Sequence, residues 1–143
     1  MRRGKLTWAL LLAGPFFIAG NAMAEAIPVE LRQTEQGWQL LRGGEPYFIK
    51  GAGGSGSLEQ LAAAGGNSLR TWSTDGAGEI LDEAHALGLT VTVGIWLGHE
   101  RHGFDYSDEK QVQEQLESAR EAVLAHKDHP ALLLWSIGNE MEG

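Results

Sequence analysis

From residue 47 onward the chain alternates short apolar, β-branched segments with helix-patterned ones, and this alternation constrains the fold more than any other feature. Residues 47–50, 67–72, 89–97 and 131–135 read as strands, and 89–97 is the strongest of them. Residues 58–64, 77–87 and 108–126 read as helices. Ile80, Leu81, Ala84 and Leu87 share one helical face, and Val112, Leu116, Ala119 and Val123 share another. Ser57 and Gln60 fit a capping box, and Gly65-Gly66 stops the helix that follows it. Ser107 is expected to cap the long helix, with Asp108 and Glu109 at its positive end. Strands that alternate with helices form a parallel sheet with helices packed on it, either doubly wound or a barrel. Ahead of this unit, residues 29–33 and 38–42 flank a turn in which Gly37 supplies a positive φ, which predicts a hairpin over 29–42.

The first 24 residues have the layout of an export signal: Arg2, Arg3 and Lys5, an apolar stretch over 6–20, and a small-x-small site at Ala22-Met23-Ala24. Cleavage there leaves 119 of the 143 residues and takes the net charge from −8 to −11, because the three positive charges leave with the signal. So acidic a chain argues against nucleic acid and anionic membranes as partners. It is expected to have no stable membrane association once the signal is cut, and to act in the periplasm or outside the cell. No cysteine is present, so stability must come from an ordinary core rather than a disulfide framework.

The last strand delivers an Asn-Glu pair, Asn139-Glu140, to its carboxyl end. Ligands of parallel α/β sheets bind at such ends. Burial by the apolar strand would favour an un-ionised carboxyl, which suits a general acid at a glycosidic oxygen. Asn139 can hold a sugar hydroxyl beside the reacting carbon. Strict alternation would point the two side chains to opposite faces, so both can serve one pocket only if the strand bulges or is already ending. Arg70, at the end of the second parallel strand, can orient a neighbouring carboxylate. Trp96 and His99 are candidate pocket residues after the third strand. Trp72 ends the second strand and could stack on a sugar face, but a tryptophan at a strand end is more often rim packing.

Residues 129–140 resemble the fourth-strand motif of the retaining glycoside hydrolases with (β/α)8 barrels. Residues 41–51 and 66–72 look like the first and second barrel strands of the β-galactosidase/β-glucuronidase family. The resemblance implies an α/β fold: the N-terminal half, strands one to four, of a TIM barrel preceded by a short β-hairpin. It implies that Glu140 is the acid/base and Asn139 the ligand of the hydroxyl next to the anomeric carbon. Arg70 would be the second-strand arginine, the substrate an oligo- or polysaccharide, and neither metal nor organic cofactor would be needed. A complete barrel takes roughly 250 residues, and the family's nucleophilic carboxylate comes from a seventh strand. Residues 25–143 therefore read as a partial catalytic barrel, with βα units over 47–140, that is expected to be inactive alone.

Two motifs compete. Residues 51–56 satisfy G-x-G-x-x-G after a predicted strand, with Asp75 about 20 residues on, as a dinucleotide site would require. His99-Glu100-Arg101-His102 holds two histidines, but in a Gly-flanked loop without the spacing of a helical zinc site. A sugar-binding pseudoenzyme with the same pocket and no chemistry is a further alternative.

Overall fold

The computed structural model describes residues 25–141; the expected signal lies outside them. Strands β1 (Val29–Thr34), β2 (Gly37–Arg42) and β3 (Glu45–Pro46) form a small antiparallel sheet. The hairpin register pairs Val29 with Arg42 and Thr34 with Gly37, whose φ of 120° makes the turn. A second sheet is parallel and runs in the order β4 (Gly51–Gly53), β5 (Ser68–Arg70), β6 (Thr90–Ile95), β7 (Leu132–Ile137). The connections are α1 (Leu58–Ala63), α2 (Ala77–Ala86) and α3 (Glu109–His126), with a 3-10 turn at Glu100–His102. Sequential parallel strands joined by helices are the arrangement the alternation predicts for a barrel segment.

The first parallel strand is not where the sequence suggested. Residues 47–50 are irregular and the strand is Gly51–Gly53. The reason is Asn67. Its side-chain Oδ1 accepts from Lys50 N at 2.7 Å and its Nδ2 donates to Phe48 O at 2.9 Å, so a side chain takes the groups a ladder would have used. The correction also weakens the dinucleotide reading. That fingerprint needs its glycines in a loop after the strand, whereas Gly51 and Gly53 lie within it, and the helix that follows has only six residues.

The core lies between the sheet and α2. Leu81 and Ala84 are fully buried against Leu69, Val91 and Val93. The other face of the sheet carries Ser68 and Thr90, whose hydroxyls bond to each other at 2.9 Å. Tyr47 reaches in from the end of the small sheet, donating to Asn67 O at 2.8 Å and lying 3.1 Å from Thr90 Oγ1. Arg42 Nη2 donates to Pro130 O at 2.9 Å, a second tie between the two sheets.

Helix starts follow the expected chemistry with one change. Ser57 Oγ accepts from Gln60 N at 3.2 Å, as a cap should. The cap of α3 is Asp108 rather than Ser107. Asp108 Oδ1 accepts from the amides of Lys110 and Gln111, and its second oxygen accepts from Gln111 Nε2, three bonds that one hydroxyl could not match. Ser107 instead donates its hydroxyl to Asp105.

Candidate active site

The strand carrying the Asn-Glu pair ends at Ile137. Gly138 then turns into the left-handed region with a φ of 70°, and Glu140 follows at 50°. A positive φ is uncommon for a residue with a Cβ, and such outliers gather at functional sites. The turn releases Asn139 and Glu140 from strand alternation, which meets the condition for both to serve one site.

Asn139 and Arg70 meet. Arg70 Nη2 donates to Asn139 Oδ1 at 3.2 Å and so joins the ends of β5 and β7 across the sheet. With its oxygen engaged, the amide of Asn139 keeps its N–H donors for another acceptor. The Arg70 guanidinium also lies over Trp72, its Cζ 4.4 Å from the ring centre. Arg70 Nε is shut from solvent and has no partner among the described residues.

Glu140 departs from expectation. Its side chain is 76% exposed, and its Oε2 is 3.5 Å from Arg101 Nη2. The burial that was to favour a proton donor is absent because, among the described residues, no strand lies beyond β7 to wall the site. Arg101, Asn139, Glu140 and Met141 line an open cleft of about 720 Å³. Arg101 was legible in the sequence only as one cation in a polar loop; nothing there assigns it to Glu140.

His99 is another correction. Expected to line the pocket, it is buried, with both ring nitrogens shut from solvent and unpartnered among the described residues. It is stacked between Trp96, at 5.0 Å and 5° between planes, and His102, at 5.3 Å and 3°. It supports Trp96 from behind. The two histidine rings lie parallel instead of converging on a point, and among the described residues no three histidine, aspartate or glutamate side chains are grouped to hold a metal ion.

Residues 74–142 match the family model described as glycosyl hydrolases family 2, TIM barrel domain. Among solved structures, the exo-chitosanase CsxA of Amycolatopsis orientalis is similar, with a TM-score of 0.54 and 22% identity over 77% of this chain. The match covers 15% of that protein, so this chain spans a small part of its length, and the likeness shows the fold. No curated protein matches the chain. Four parallel strands joined by helices make the chain part of a TIM barrel, and the portion holding its last two strands is similar to the barrel domain of glycosyl hydrolases family 2.

Proposed function

We propose that this chain supplies the acid/base side of a retaining glycosidase site acting on an oligo- or polysaccharide outside the cytoplasm. Glu140 gives its proton to the leaving glycosidic oxygen as the bond to the anomeric carbon breaks. A carboxylate from outside the four described strands attacks that carbon. Glu140 then takes a proton from the water that releases the sugar. Asn139 donates to the neighbouring sugar hydroxyl and Arg70 holds Asn139 in place. The observation that supports this reading is the Arg70–Asn139 bond, which joins two sequence-predicted site residues from separate strands, Asn139 being the chain neighbour of Glu140.

The test uses glycosides with a poor alkyl leaving group, whose departure needs a proton. The full chain is incubated with azide as a substitute nucleophile. Azide forms a bond to the anomeric carbon, the glycosidic C–O bond breaks, and the Glu140 proton goes to the alcohol. Formation of glycosyl azide with inverted configuration, falling by about 100-fold or more in Glu140→Gln, is expected. Equal product from both proteins, or none from either, rejects the proposal. The exposure of Glu140 favours one rival, a sugar-binding protein without chemistry, and that rival predicts no product while sugar binding persists in Glu140→Gln.

A further inference from the structure

Strands β5 and β6 are each followed by an indole that the chemistry above leaves without a defined task. Trp72 and Trp96 are 44% and 47% exposed. Each has one ring face already occupied. Arg70 lies on Trp72, and His99, backed by His102, lies on Trp96. Gly53 helps to seat Trp72: a Cβ there would lie 3.2 Å from the indole and press it off the strand. A large ring fixed in this way loses little rotamer freedom when something binds to it.

The two indoles line one cleft of about 530 Å³, together with Ser73, Asp75, Gln115 and Ser118. None of these residues lines the cleft at Glu140. Arg70 lines neither cleft but contacts a residue of each: its Cζ lies 4.4 Å from the Trp72 ring centre and its Nη2 donates to Asn139 Oδ1. The lining mixes ring faces with hydroxyl and amide groups. A pyranose has the matching surface, a weakly positive C–H face for the negative face of an indole and a rim of hydroxyls for the polar groups. Asp75 is the one charged residue in the lining, so an acidic sugar meets a like charge.

The geometry points to the Trp72–Trp96 cleft as a second sugar subsite, which holds a neutral unit of the same oligosaccharide whose scissile bond lies at Glu140. The ligand is then a neutral oligosaccharide rather than a single sugar. This rests on the glycosidase reading and extends it.

Calorimetric titration of the full chain with neutral β-linked hexasaccharides of glucose, mannose and galactose, their monosaccharides, and an oligogalacturonide tests it. At least one neutral hexasaccharide is expected to bind about tenfold or more tightly than its monosaccharide, and the oligogalacturonide to bind more weakly than that hexasaccharide. Trp96→Ala is expected to weaken the hexasaccharide about tenfold, the size of one good ring contact. Ser118→Tyr, on the exposed side of α3, fills the cleft without touching the core and does the same. Trp96→Phe keeps most of the binding. The subsite is overturned if no neutral hexasaccharide binds, if Trp96→Ala and Ser118→Tyr both bind normally, or if the oligogalacturonide binds as well as the neutral sugars. Azide-dependent turnover that still needs Glu140, with cleft variants that bind normally, rejects the subsite alone. Binding that needs Trp96, with turnover that ignores Glu140, supports the subsite and rejects the chemistry.

Discussion

Helices α2 and α3 are the same device used twice, and they pack very differently. Leu81 of α2 is 0% exposed, whereas Leu116, on the predicted apolar stripe of α3, is 59% exposed. No residue of α3 is fully buried. A groove of about 520 Å³ separates its stripe from Ile95, Leu97 and Ile137. The difference follows from position. Helix α2 joins two inner strands, β5 and β6, whereas α3 leads into β7, which is the edge of the sheet among the described residues. An amphipathic pattern reports which face will be buried but not whether the burying surface is present.

The comparison breaks most readily at its two leucines. Leu81→Ala should lower stability by about 2–5 kcal/mol, because the site is closed and the cavity stays. Leu116→Ala should change it by no more than about 0.5 kcal/mol. Urea unfolding of both variants checks this, and equal losses would mean that α3 is as well packed as α2 in solution. A smaller effect is expected at Gly94 of β6, where a Cβ would come within 2.5 Å of Thr71 O and 2.6 Å of Trp72 O. Both are backbone atoms that cannot swing aside. Gly94→Ala should cost about 1–3 kcal/mol and should also shift the fluorescence of Trp72. An unshifted spectrum at full stability would show that the two strands sit further apart.

Much of this was legible beforehand. The strand–helix order follows from periodicity, and the positive φ of Gly37 from the turn it must make. The union of Arg70 with Asn139 was readable in part, because both lie at carboxyl ends of parallel strands. Other features could not be read. The displacement of the first parallel strand depends on the Asn67 side chain competing for backbone groups 17 and 19 residues away. The stacking of His99 behind Trp96 depends on how one loop folds back, and a histidine in a polar loop looks solvated until that fold is known. The exposure of Glu140 depends on what lies beside β7, which no property of the strand itself determines.

The start of α3 offers a test through pH. Asp108 has its carboxyl held below the usual aspartate range, first by the Gln111 side-chain bond and then by the amides of Gln111 and Lys110. Asp105 is lowered first by the Ser107 hydroxyl and then by the Ser107 amide. A carboxyl lowered on folding adds stability that is fully present above its unfolded value and disappears as pH falls through its folded value. Acid should therefore loosen the first turn of α3 below the normal aspartate range while α2, which has no such cap, holds. Amide hydrogen exchange resolved by segment measures this. Asp108→Asn should remove much of the acid sensitivity, and α2 and α3 loosening together would refute it.

The weakest expected effect concerns the pair nearest the chemistry. Arg101 and Glu140 are 47% and 76% exposed and approach only to 3.5 Å. Water screens such a pair, and holding two long side chains together offsets much of the attraction. A double-mutant cycle on unfolding, using Arg101→Ala and Glu140→Gln, should give a coupling of no more than about 1 kcal/mol that shrinks as salt is raised. A coupling several times larger would require the two groups to be shielded from water, and so a wall beside β7 that the open cleft does not provide. The size of this one number therefore tells whether the carboxylate stands as open in solution as the exposed face of α3, or is enclosed like α2.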